Sequence, residues 1–147
     1  MGNYNWESDL VEGNQAEQQF AALLQLRKPG KQPEFCTDNS WDIKYGELTF
    51  ECKADAKSEL TGNVIIEIEF NGKPSGILVS KSKYWAVRAL NRWNVAFTEV
   101  VRHHMEDYPI VKCGDGRKGK GHLMPYPDYR DLCDVVFTLD GRTLPPV

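Results

Sequence analysis

Ala16, Phe20, Leu23 and Leu24 recur at helical spacing within residues 14–26. The first element predicted is therefore a helix, capped by Asn14 and stopped by Lys28-Pro29-Gly30. Period-two alternation follows. Residues 40–45 and 47–54 read as two strands joined by a tight turn at Tyr45-Gly46. A third strand over residues 63–70 sets Val64, Ile66, Ile68 and Phe70 on one face against Ile65, Glu67 and Glu69 on the other, and Asn71-Gly72 supplies a turn after it. One helix and three adjacent antiparallel strands are expected.

Downstream, the hydroxyls of Ser80-Lys81-Ser82-Lys83 suit a helix cap, and strand-like residues return at 84–90 and 93–98. A short helix capped by Thr98 is expected over 99–105, and a further strand over 108–113. Glycine, lysine and proline dominate residues 114–127, which predicts a mobile surface loop. A helical turn at 129–132 and a strand or helix at 134–139 complete the chain. With 147 residues, no internal repeat and no long linker, residues 1–147 are expected to form a single α/β domain.

Composition narrows the class. No stretch approaches the roughly 18 uninterrupted apolar residues of a membrane span, and the N-terminal residues are polar and acidic where a signal peptide is basic and then apolar. A soluble cytoplasmic protein with no membrane partner is expected. Cys36, Cys52, Cys113 and Cys133 stand singly, without the close pairs of a zinc ribbon or redox site, and read as reduced and structural. The net charge of −3 is uneven. Residues 80–122 hold nine Lys or Arg against four acids, a net +5 that leaves −8 for the rest. An acidic pocket beside a basic, phosphate-facing surface would have this distribution, and so would chance clustering on a solvated face.

The candidate chemistry lies in the second strand. Alternation puts Thr49, Glu51 and Lys53 on one face and Phe50, Cys52 and Ala54 on the other. Asp42, on the preceding strand, can sit across the ladder from Glu51. Two neighbouring carboxylates repel unless a cation lies between them, and an oxygen-only set with an open sphere suits Mg²⁺. The main-chain carbonyl of Cys52 could add a ligand. Lys53 can orient a water, help lower its pKa, or offset charge on a transferring phosphate. An Asp38 in the turn-like 37–40 run competes with Asp42 but lacks flanking apolar residues.

An N-terminal helix, an acid on one strand, Glu-x-Lys on the next and the order α-β-β-β-α-β resemble the PD-(D/E)XK nuclease superfamily. The match covers residues 14–90, with a looser continuation to about 127. Thr61-Gly62-Asn63-Val64-Ile65-Ile66-Glu67, Gly72-Lys73-Pro74-Ser75-Gly76-Ile77 and Ser80-Lys81-Ser82-Lys83-Tyr84-Trp85 are similar to phage-encoded members. The resemblance implies a restriction-endonuclease-like core, with a mixed central sheet flanked by helices. It implies Mg²⁺-dependent hydrolysis of DNA, with Mn²⁺ able to substitute, in a host cytoplasm if the protein is phage-encoded. Asp42 and Glu51 would bind the metal, Lys53 would serve the water, and Glu17 on the first helix would assist. Trp41 replaces the family's proline before the aspartate.

An endonuclease, a Holliday-junction resolvase, an exonuclease and a catalytically silent nucleic-acid-binding module all remain open, as does a homodimer. Glu-x-Lys alone means little, since such pairs alternate on many exposed strands. Glu67 either extends the acidic pocket or is a solvated strand residue. Lys81 and Lys83 stand at a helix N-terminus that could bind phosphate, or on a solvated capped turn. The GDGRKGKG run over 114–121 approaches a phosphate-binding loop, but Gly121 has no hydroxyl for Mg²⁺ and no helix can start at His122-Leu123-Met124-Pro125. Arg117, Lys118 and Lys120 therefore read as backbone contacts from a flexible basic loop. His103, His104 and His122 are expected to be surface or structural residues. Trp6, Trp41, Trp85 and Trp93 are expected in the core rather than as base-stacking platforms.

Overall fold

A computed structural model describes residues 6–36 and 40–144, leaving aside the side chains of residues 6–14 and 115. Asp38 and the side chain of Trp6 thus lie outside the described residues. The protein is mixed α/β, with two sheets. The larger has the order β1-β2-β3-β6-β7-β10, built from β1 (Glu34–Phe35), β2 (Ile43–Tyr45), β3 (Leu48–Ala54), β6 (Tyr84–Ala89), β7 (Arg92–Phe97) and β10 (Val135–Thr138). Its pairings are antiparallel except that of β3 with β6, which is parallel. The smaller sheet is antiparallel, with the order β5-β4-β9-β8, from β4 (Asn63–Phe70), β5 (Lys73–Pro74), β8 (Ile110–Cys113) and β9 (Gly119–Pro125).

Side-chain alternation divides the core in two. Phe50, Cys52, Tyr84, Ala86, Trp93 and Val95 face helix α1 (Trp6–Arg27), whose Phe20 packs on Phe50 and Trp93 at ring separations of 5.1 and 4.8 Å. Trp85, Val87, Ala89 and Ala96 face the other way. They meet Val64 and Ile66 of β4, Met124 of β9, Val101 and Met105 of α3 (Thr98–Met105), and Tyr126 and Tyr129 of α4 (Tyr126–Leu132). Asn94 enters this second core as a polar residue. Its amide donates to the carbonyls of Val87 and Ala89, and its oxygen accepts the Tyr126 hydroxyl at 2.6 Å. Leu90 and Asn91, both at positive φ, close the β6–β7 hairpin in two residues.

Several expectations need correcting. Helix α1 runs through Asn14, which is therefore not its cap. Strand β4 is not the third member of the first meander. A short helix, α2 (Ser58–Thr61), with Gly62 at φ +73, turns the chain out of the large sheet, and β6 takes the edge of β3 instead. No helix starts at Ser80-Lys81-Ser82-Lys83, which is a non-helical approach to β6. The presumed mobile loop over 114–127 contains β9, paired on both edges. Glycine there reflects close approach rather than flexibility. A Cβ on Gly121 would lie 2.7 Å from Ile65 Cγ2 and 2.8 Å from Ile66 O, and one on Gly119 would lie 2.9 Å from Cys113 O. No helix among the described residues is long and apolar enough to cross a membrane.

Gly121→Ala should destabilise the fold by about 1–3 kcal/mol through overpacking against β4. Urea unfolding measures it, and an alanine accepted at no cost would contradict the packing of β9 on β4.

Candidate active site

Asp42 lies just before β2. Its N–H donates to Phe50 O at 2.9 Å although Ile43 is the residue paired with Phe50, so two residues oppose one, as at a β-bulge. Its Oδ2 accepts the Cys52 N–H at 2.7 Å. The carboxylate thereby stands in for a ladder carbonyl, which holds it beside Glu51. On the opposite face of β3 from Cys52, Glu51 Oε2 lies 3.5 Å from Lys53 Nζ, with side-chain exposures of 14% for Glu51 and 40% for Lys53. The carboxylate is shielded and the ammonium can be reached.

Ser80, missed as a site residue because it read as a helix cap, donates its hydroxyl to Glu51 Oε1 at 3.1 Å. Its hydroxyl also lies 2.9 Å from that of Ser82, which lies 3.4 Å from Thr98 Oγ1, and all three side chains are buried. Arg102 on α3 braces this segment. Nε donates to Ile77 O at 2.9 Å and Nη2 to Ser80 O at 2.6 Å, while Nη1 pairs with Glu99. Arg102 was counted with the basic segment, yet its guanidinium is committed to the protein's own backbone. No local pattern signals the Glu51–Ser80 contact, which spans 29 positions.

The electrostatics are those of crowded acids around one cation. Burial first, then the charge of Asp42, raises Glu51 to about 7 against the opposing pull of Lys53 and Ser80. Burial and Asp42 likewise raise Glu17 to about 7. Burial alone would lower Lys53, but Glu51, Asp42 and Glu67 outweigh it and hold the ammonium above its ordinary value. Glu67, fixed by the Ser75 hydroxyl at 2.9 Å, therefore belongs to the electrical surroundings of Lys53. Burial raises the Cys52 thiol, so it is a packed core group rather than a thiolate. The ring of Trp85 lies 5.6 Å from Lys53 Nζ, and its indole N–H is buried without a partner.

No three His, Cys, Asp or Glu side chains among the described residues converge as a metal cage. Glu17 lies within the field of Asp42. Asp42 and Glu51 offer carboxylate oxygens, the donor type that Mg²⁺ takes.

The other expected residues are spread more widely. Lys81 and Lys83 are exposed beside the site, Lys83 lying 5.7 and 6.0 Å from the Tyr84 and Phe97 rings. The Lys83 N–H donates to Thr49 Oγ1. Arg117 and Lys118 are exposed in the turn before β9, whereas Lys120 is in β9, 3.6 Å from Glu69. His103 and His104 are exposed, and His122 is buried with Nδ1 2.8 Å from Tyr108 O. Trp85 and Trp93 are core residues, and Trp41 is half-buried. The four cysteines carry no disulfide. No family model, curated protein or solved structure matches this chain, so its own side-chain arrangement carries the functional reading.

Glu17 and Glu51 titrate near 7 when folded, against an ordinary value of 4.5. The unfolded chain thus sheds these protons first, so the stability that these two groups contribute is full below about pH 4.5 and is lost as the pH rises through about 7. Without divalent cations, unfolding free energy should fall by on the order of 2 kcal/mol from about pH 5 to about pH 8, allowing for solvent screening at Glu17. The fall should shrink in Glu51→Gln. A pH-independent unfolding free energy in this window would contradict the buried acidic cluster.

Proposed function

We propose that this chain is a metal-dependent deoxyribonuclease of the PD-(D/E)XK type, acting as an endonuclease. The observation that carries the reading is the placement of Lys53 Nζ 3.5 Å from a shielded Glu51 carboxylate, beside an Asp42 locked onto the Cys52 N–H. Helix α1 ahead of the hairpin and the parallel partner β6 after it support the same reading. The departure of β4 into a second sheet leaves this group of residues intact.

Asp42 and Glu51, with the Cys52 carbonyl, would hold Mg²⁺, and Mn²⁺ could replace it. When bound, the ion supplies Lewis-acid stabilisation of phosphate oxygens and acidifies a bound water. Ser80 fixes the orientation of Glu51. Lys53, kept protonated by Glu51, Asp42 and Glu67, acts as a donor: it orients the attacking water and offsets charge developing on the phosphate. It is not the base in this state. Glu17, on α1 within the field of Asp42, would assist from the helix side. Exposed Lys81 and Lys83 provide phosphate contacts next to the site, and Arg117, Lys118 and Lys120 provide more distant ones.

Closed circular, linear, single-stranded, flapped and four-way DNA, each incubated with Mg²⁺, test the reading. Cutting of closed circles is expected, with Glu51→Ala and Lys53→Ala each at least ~100-fold slower and still folded. Parental rates in both variants would remove the site assignment. Binding without cleavage in Mg²⁺ and Mn²⁺ would select a silent binding module, and cutting confined to linear DNA an exonuclease.

A further inference from the structure

Beside Glu51 stands an apolar tip that the chemistry above does not use. Residues 75–80 form a tight turn closed by the N–H groups of Leu78 on Ser75 O (3.2 Å), Val79 on Gly76 O (3.2 Å) and Ser80 on Gly76 O (3.1 Å). Ile77 is fully buried beneath it. Gly76 has φ +56, and a Cβ there would stand 2.3 Å from Glu67 O, so the turn lies directly on β4. Arg102 grips the carbonyls of Ile77 and Ser80, one on each side of the tip, and the Lys81 N–H is anchored on Ser40 O at 2.8 Å. This well-tethered turn leaves Leu78 and Val79 49% and 51% exposed.

Leu78 and Val79 are an adjacent exposed apolar pair on a fixed turn, in the segment that leads through Ser80 to Glu51. Ser80 follows Val79 directly and its hydroxyl touches Glu51. With about 3.8 Å between successive Cα atoms, the Val79 Cα lies within roughly 10 Å of the Glu51 carboxylate, and Leu78 one residue further. Exposed Lys81 and Lys83 continue the same segment. A strand that brought a phosphate to Glu51 and Lys53 would run close to the tip, with Lys81 and Lys83 in the same segment to hold flanking phosphates. Apolar side chains at such a place can press between bases, and opening a base step costs least where a nick, fork or branch has already broken the stack. Their fixed backbone also limits the entropy lost on insertion.

The geometry points to Leu78 and Val79 as a wedge that selects DNA with an interrupted base stack over continuous duplex. The wedge rests on the nuclease reading, and its test separates the two. Short duplexes carrying 2-aminopurine, either beside a nick or fork or within continuous duplex, are titrated with the protein in Ca²⁺ in place of Mg²⁺. Parent protein should raise the fluorescence of the nicked and forked probes severalfold and leave the continuous probe unchanged. The Leu78→Ser/Val79→Ser double variant should lose that rise and its preference in Mg²⁺ cleavage while retaining continuous-duplex affinity within about twofold, as expected when phosphate contacts dominate affinity. Leu78→Ala, a milder change at an exposed position, should show a partial loss.

An unchanged fluorescence rise in the double variant overturns the wedge. So does a shift from dimer to monomer in sedimentation with the rise preserved, because the tip is then a contact between copies. Parent protein that binds and cuts none of these DNAs overturns the nuclease reading itself, whereas parent protein that binds and cuts without any fluorescence rise overturns the wedge alone.

Discussion

The parallel pairing of β3 with β6 is the constraint on which the rest of the structure depends. Phe50 opposes Tyr84, Glu51 opposes Trp85, Cys52 opposes Ala86 and Lys53 opposes Val87. Since successive side chains alternate, this register sends Phe50 and Cys52 to the α1 side and turns Glu51 and Lys53 towards the second core. Parallel neighbours require a long crossover, and here the crossover builds β4 and β5 and returns through residues 75–83. Ser80 reaches Glu51 because that return ends where β6 must begin. Asp55 ties the departure point, accepting the Ile65 N–H at 3.2 Å while its own N–H donates to Arg88 O.

The electrostatic organisation follows from this placement. Burial and mutual repulsion oppose the ionised forms of Glu17 and Glu51, and Lys53 is the cation that offsets them. Hydroxyl groups and a braced guanidinium hold the geometry in which this compromise exists. Arg102 shows how a cation inferred from charge counting can serve the scaffold instead, with its donors turned onto backbone carbonyls.

How much could be read from the chain alone depended on the range of the interaction. The 47–54 strand was plain because alternation is a local property, and with it the shared face of Glu51 and Lys53. Residues 63–70 were correctly read as a strand, but alternation does not name a partner, and β4 pairs with β9 instead of with the first hairpin. The β9 residues were misread because Gly119 and Gly121 look like loop residues until the backbone and side chains against them are known. Ser80 was misassigned for a related reason: a hydroxyl before an expected helix resembles a cap, and its acceptor is 29 positions away. Early residues of α1, with Gly13 among acidic neighbours, offered little helical periodicity to extend the helix back to Trp6.

The Glu51–Ser80 contact also bears on the order in which parts of the molecule can become organised. The β6–β7 hairpin closes through two residues, Leu90 and Asn91, and sacrifices little chain entropy. Joining Glu51 to Ser80 restrains a far longer stretch and gains its enthalpy only after β6 has docked on β3. The hydroxyl brace on Glu51 is thus a late acquisition in topological terms, whereas the Asp42–Cys52 bond belongs to the first hairpin itself. Chain entropy therefore sets the hairpin that carries the two carboxylates apart from the distant hydroxyl that fixes one of them.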